Sequence, residues 1–185
     1  ANEEPAKFPY LRIMCSYFAA TAQELAAGVL TYRKKFGKVA ENLKMLDVAG
    51  MNIAGVYPII EEFKPEVLIL DQLDNFKMKG EFARDDLRLG ALYQNAREAA
   101  KKYKVAVWAV SQASADAEGI ERLSYDSLRG SKTDKAGAVD VVIGIGSRDY
   151  TENDTRTFQL SKNKINGSHA WVASVLNSER AIFSS

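Results

Sequence analysis

The run VLIL at positions 67–70 ends on Asp71, and the run VAVWAV at 105–110 ends on Ser111-Gln112. A carboxylate at the end of an apolar strand offers a hard oxygen to Mg²⁺, an ion that keeps several of its waters and shares its remaining sites with phosphates. NTPases hold the metal beside the nucleotide with such an aspartate. A glutamine at a neighbouring strand end can sense a terminal phosphate or relay its presence to the loop behind it. Each position also has a plainer reading, Asp71 as a turn or helix cap and Gln112 as an ordinary loop residue. The chain has one cysteine, Cys15, and one histidine, His169. They exclude an internal disulfide and a metal cluster of the Cys/His type.

Strand ends can do this chemistry only if the sheet is of the right kind. In open parallel α/β sheets, ligands bind outside the carboxyl ends of the strands. The continuous apolar runs 67–70, 105–110 and 141–146 (VVIGIG) suit strands buried on both faces of a parallel sheet. Between the first two lies DDLRLGALYQNAREAAKKYK, where Leu89, Leu92, Tyr93, Ala96, Ala99 and Tyr103 line one helical face. A helix of that length makes the flanking strands parallel. Upstream, Leu11, Met14, Cys15 and Phe18 recur at helical spacing, and so do Leu25, Val29, Tyr32 and Phe36 after Thr21, with Glu24 three residues on as a capping box. LKMLDV at 43–48 reads as a short strand, and 53–63 as a helix kinked near Pro58. At the other end, TRTFQLSKNKI and HAWVASVL alternate and flank Asn166-Gly167, the pattern of an antiparallel hairpin. The fold class is therefore α/β, a mainly parallel sheet flanked by helices, with a C-terminal antiparallel hairpin.

The 185 residues, 46% hydrophobic and 26% charged, fit one globular domain with a substantial core. A net charge of +1 excludes a polybasic coat but leaves room for local phosphate contacts. No apolar run approaches membrane-spanning length, the N-terminus is not a signal peptide, and an intracellular, cytoplasmic setting is expected.

Five segments taken in order resemble the ATPase domain of DnaB-like replicative helicases and phage primase-helicases, within the RecA-like group. NEEPA resembles the place where a strand ends on a catalytic glutamate. LILDQLDNF resembles the Walker B strand, and AVWAVSQAS the strand ending on a sensor Gln or His. DSLRGSKTDKAGAVDVVIGI resembles the Leu-Arg-Gly/Glu-Ser segment with its following Asp-Val-Val strand. LSKNKINGSH resembles the strand bearing a Lys-x-Arg pair. The resemblance spans nearly the whole chain and implies a RecA-like fold, with ATP and Mg²⁺ as cofactors. Glu3 would polarise the attacking water, Asp71 position Mg²⁺, Gln112 couple to the γ-phosphate, and Arg129 contact the nucleotide. Lys162 and Lys164 would reach a neighbouring subunit's nucleotide. The family's second cation there is usually arginine, and Lys164 lacks its planar fork. Two solvated lysines on an edge strand are the competing reading.

Single-stranded DNA is the partner that the resemblance implies, threaded through a ring hexamer of identical subunits in a bacterial or phage-infected cell. Two loops offer cations for phosphate tracking without sequence reading. One is FKMKGEFAR, with Lys77, Lys79 and Arg84. The other follows Gln112, with Arg122, Arg129, Lys132 and Lys135. The motif G-x-x-x-x-G-K-[ST], whose backbone N–H groups and lysine cradle phosphates, is absent from the sequence. The chain is thus expected to be a RecA-like domain, residues 1–185, truncated at its N-terminal side, inactive alone, with Leu68, Leu70, Val107 and Trp108 facing an incomplete core or a neighbouring chain. Three functions stay open: part of an ATP-driven helicase unwinding 5′ to 3′, a RecA/RadA-like recombinase that pairs strands, or a non-catalytic RecA-like module that binds a partner.

Overall fold

The computed structural model describes residues 4–128, 130, 132–149 and 154–184, without the side chains at 132 and 133. The first third is helical, as its periodicity predicts: α1 spans Lys7–Phe18, α2 Ala22–Ala27 and α3 Val29–Glu41. The Thr21 capping box is present. The Glu24 N–H donates to the Thr21 hydroxyl at 3.2 Å, and the Thr21 N–H donates to the Glu24 carboxylate at 2.7 Å. The bond from the Thr21 backbone holds the Glu24 carboxyl below its usual range. Phe36 of α3 meets Tyr10, Tyr17 and Phe18 of α1 at centroid distances of 5.5, 5.6 and 6.0 Å, tilted or edge-on as aromatic quadrupoles prefer.

Residues 43–48 are not a strand. Asp47 Oδ1 accepts the Ala49 N–H at 3.3 Å and turns the chain, and no neighbouring strand is at hand to pair with the run. A 3₁₀ turn at Ile53–Gly55 leads into α4, Val56–Phe63. Pro58 produces no interruption, because it sits in the first turn, where a backbone N–H has no intrahelical partner to lose.

Strand β1 (Val67–Leu70), helix α5 (Asp85–Tyr103) and strand β2 (Ala106–Ala109) form a β–α–β unit, with Val67–Leu70 parallel to Ala106–Ala109. The main core lies under this pair. Leu89, Leu92, Tyr93, Ala96 and Ala99 of α5 pack with Ile53, Val56 and Ile60 and with Leu70, Leu73 and Phe76.

Burial on both faces of the sheet was the expectation, and only one face is covered. Leu70 is buried, and Leu68 and Val107 pack against the core. Val67, Ile69 and Trp108 point the other way and are exposed, Ile69 by 64% and Trp108 by 56%. Of the four residues expected at an incomplete core, only Trp108 is on the open side. The period of two sends alternate residues to opposite faces, and α4 and α5 cover one of them.

After α6 (Lys132–Ala138) the sheet departs further from expectation. β3 (Val141–Gly146) is not a third parallel strand. It pairs antiparallel with β4 (Thr155–Asn163), which pairs with β5 (Trp171–Asn177) and then β6 (Ile182–Ser184), a four-stranded antiparallel sheet. The predicted β4–β5 hairpin is part of it. A short connection supplies β3 with an antiparallel neighbour, and among the described residues no strand joins β2 to β3.

The loop after β2 lies directly on β3. A Cβ at Gly146 would fall 2.4 Å from the carbonyl oxygens of Ile120 and Glu121, and one at Gly144 would fall 2.5 Å from that of Leu123. Gly146→Ala is therefore expected to lower stability by about 1–3 kcal/mol. Gly37→Ala, in α3 where a Cβ meets nothing within 4 Å, should raise it by roughly 0.5–1 kcal/mol; urea midpoints of the two variants compare them. Because the Glu24 pKa is depressed on folding, its stabilisation of α2 is complete above the ordinary value of 4.5 and is lost as pH falls through the lower folded value. Amide exchange across α2 measured against pH should show this loss, and Thr21→Ala should remove the dependence.

Candidate functional site

Backbone hydrogen bonds carry the β1–β2 pairing past the strands themselves. Val110 N–H donates to Leu70 C=O at 3.0 Å, and Leu73 N–H donates to Val110 C=O at 3.2 Å. Asp71 and Gln112 thereby come to the same end of the sheet, the carboxyl end, where the sequence places them. Asp71 is half-buried, and its side chain has no hydrogen bond or ion pair to a described residue. Gln72 beside it is buried, its side-chain oxygen accepting from Asn75 Nδ2 at 3.2 Å.

The strongest electrostatic feature at this end is one that sequence reading missed. Lys135, in α6, is completely buried. Its Nζ lies 2.7 Å from Asp74 Oδ2 and 3.1 Å from the Ser111 hydroxyl, which itself donates to Asp74 Oδ2 at 3.0 Å. The Tyr93 ring lies 5.2 Å from the same ammonium. Burial, and then the Asp74 carboxylate, push the Tyr93 phenol well above its ordinary range. Lys135 was expected on a DNA-binding loop. It cannot touch phosphate here, because its charge is enclosed between two strand ends and α5. Two signals in the sequence mark this cluster: a second aspartate three residues after Asp71, and one cation among the small residues of KAGA.

The same helix explains Lys162 and Lys164. Neither extends outward. Lys162 Nζ bonds to Ala136 C=O, and Lys164 Nζ lies 3.4 Å from Gly137 C=O and 3.9 Å from Asp140. Arg97 of α5 donates to the carbonyls of Gly137 and Ala138 at 3.2 and 3.3 Å. The last carbonyls of α6 are thus met by three cations, as unsatisfied C=O groups and the negative end of the helix dipole favour. Burial and the neighbouring Lys164 lower the pKa of Lys162.

The remaining candidates are scattered. Lys77 and Lys79 are exposed, with no ion pair to a described residue. Arg84 is exposed and paired with Asp86, its Nε 2.9 Å from Oδ1. Arg122 is exposed and lies 3.8 Å over the Trp171 ring. The loop between Gln112 and α6 is closed on itself by an Ala113–Leu128 bridge, with Ser114 N–H donating to Ser127 C=O at 2.7 Å. Glu3, Arg129 and the Lys132 side chain lie outside the described residues.

Mg²⁺ bound with a nucleotide needs one or two protein carboxylates and draws its other ligands from phosphates and water. Asp71 fits that requirement. Among the described residues, no three acidic, His or Cys side chains gather to hold a metal alone, and the sequence has no phosphate cradle. The residues fit one side of a metal–nucleotide site. No helix among the described residues is long and apolar enough to cross a membrane.

No protein-family model matches the chain, and no curated protein matches its sequence. Solved structures do match. The ATPase domain of a DnaB-like helicase superposes with a TM-score of 0.84 at 16% identity, covering 99% of this chain and 72% of that one. A DnaB-like replicative helicase, solved to show its interactions with primase, superposes with a TM-score of 0.84 at 17% identity, covering 98% of this chain and 48% of that one. The likeness establishes the fold, that of the DnaB-like ATPase domain.

Removing the ammonium from the enclosed pair leaves a carboxylate with little solvent and no cation. Lys135→Met is expected to cost about 3–5 kcal/mol in urea unfolding, and adding Asp74→Leu should restore most of it.

Proposed function

We propose that this chain forms the metal-and-sensor side of the ATP site in a helicase motor domain that moves along single-stranded DNA. The observation that carries the reading is the parallel β1–β2 register, with an unpaired Asp71 and with Gln112 at adjacent carboxyl ends. The fold likeness to DnaB-like ATPase domains supports it. On this reading Asp71 orients Mg²⁺, which neutralises charge on the transferring phosphate. Gln112 senses the γ-phosphate, and Glu3 polarises water. The Asp74–Lys135–Ser111 cluster ties these strand ends to the loop between them. Lys77 and Lys79 are the exposed cations best placed for DNA. Ring assembly of identical subunits is part of the reading, and a trans role for Lys162 and Lys164 asks both to leave the α6 carbonyls.

The reading requires a phosphate cradle that residues 1–185 do not contain. The chain alone is therefore expected to release no phosphate from ATP above background, with or without single-stranded DNA. Turnover by this chain that disappears in Asp71→Ala would overturn the half-site reading. A version extended through a P-loop should hydrolyse ATP faster with DNA present and lose about 100-fold or more in Asp71→Ala.

A further inference from the structure

The chain is nearly neutral, yet Arg33, Lys34, Lys35 and Lys38 fall within six residues of α3. All four are exposed, and none has an ion pair or side-chain hydrogen bond to another described residue. They are not spread evenly round the helix. Residues three and four apart share a face, so Leu30, Lys34 and Lys38 form one row, with Thr31 and Lys35 beside it. Leu30, Thr31, Lys34 and Lys35 line a shallow open depression. The opposite face is locked: Phe36 is buried against α1, and Tyr32 packs at 4.9 Å on Phe18. The cationic face is therefore held outward by aromatic packing. Elsewhere the prominent cations are engaged, Lys135 by Asp74, Arg84 by Asp86, Arg122 by Trp171 and Arg97 by Asp140.

From this face we infer that α3 is a binding surface for a single-stranded nucleic acid, contacting its phosphates through Lys34, Lys35 and Lys38. The surface is separate from the strand ends and does not depend on the nucleotide reading. Its composition decides the partner. A peptide interface draws its energy from a cluster of desolvated apolar or aromatic anchors. This face has a single large apolar side chain, Leu30, 81% exposed, among cations and a hydroxyl. Its attraction is mainly Coulombic, the kind that a phosphodiester chain satisfies through counterion release without sequence reading. Lysine is suited to this as a compact, mobile point charge.

The test is fluorescence anisotropy of a labelled oligothymidylate with the full chain at several salt concentrations. Four variants are compared: Lys34→Ala/Lys35→Ala/Lys38→Ala, Lys77→Ala/Lys79→Ala, Leu30→Ser and Asp71→Ala. The triple lysine variant is expected to bind at least about 10-fold more weakly at low salt. Its log–log salt slope should be shallower by about 2, close to 0.7 for each of three phosphates. Leu30→Ser should change affinity less than about 2-fold, since the binding is Coulombic, and Asp71→Ala should not change it. Circular dichroism confirms that α3 stays folded, as expected for exposed positions. Undiminished binding by the triple variant, or no binding by the unaltered chain, overturns the inference. So does a large loss in Leu30→Ser, or displacement of the oligonucleotide by polyglutamate at equal charge, either of which points to an acidic peptide. Loss confined to the Lys77/Lys79 variant overturns it too, while leaving the helicase reading intact.

Discussion

An ammonium group with no access to water is tolerated only where a carboxylate and further hydrogen bonds replace its hydration. Lys135 meets that condition through Asp74 and Ser111, and the rest of the site depends on the result. Asp74 follows β1, Ser111 follows β2, and Lys135 belongs to the helix that leads into β3. One buried pair therefore ties together three segments far apart in sequence. It also sets where α6 ends, and so where Arg97, Lys162 and Lys164 find carbonyls. Asp71 and Gln112 inherit their positions from this arrangement without taking part in it.

The other governing fact is an imbalance of cover. Parallel strands are stable when both faces are buried, and β1–β2 has helices on one side only. Val67, Ile69 and Trp108 are left in the open. The solved ATPase domain with the same fold contains a further part that this chain does not match. An open apolar face beside an aspartate without a phosphate cradle is coherent with a site of which this chain holds one side.

Much of the scaffold was legible in the residues. The capping box of α2, the apolar stripe of α5, the two parallel strands and the C-terminal hairpin all follow from local patterns, because spacing and turn chemistry act over a few residues. Three expectations failed for a common reason, that local pattern does not name a partner. LKMLDV has strand-like alternation but nothing to pair with. VVIGIG is an apolar run that suits a parallel sheet, yet its neighbour is the antiparallel β4. VLIL and VAVWAV look doubly buried, and the burial of a face depends on what lies across it.

By itself the sequence determined which residues could do chemistry at strand ends, Asp71 and Gln112, and that a phosphate cradle is missing from these residues. It determined that α3 is cationic. Only tertiary structure decided which cations remain available. Lys135 and Lys34 look alike in the sequence, each a lysine in a helical stretch. One is enclosed by Asp74 and Ser111, and the other is turned outward because Phe36 is held by α1. A charge takes its role from its surroundings, since burial with a counter-ion and exposure to solvent differ by several kcal/mol, and those surroundings come from parts of the chain distant in sequence.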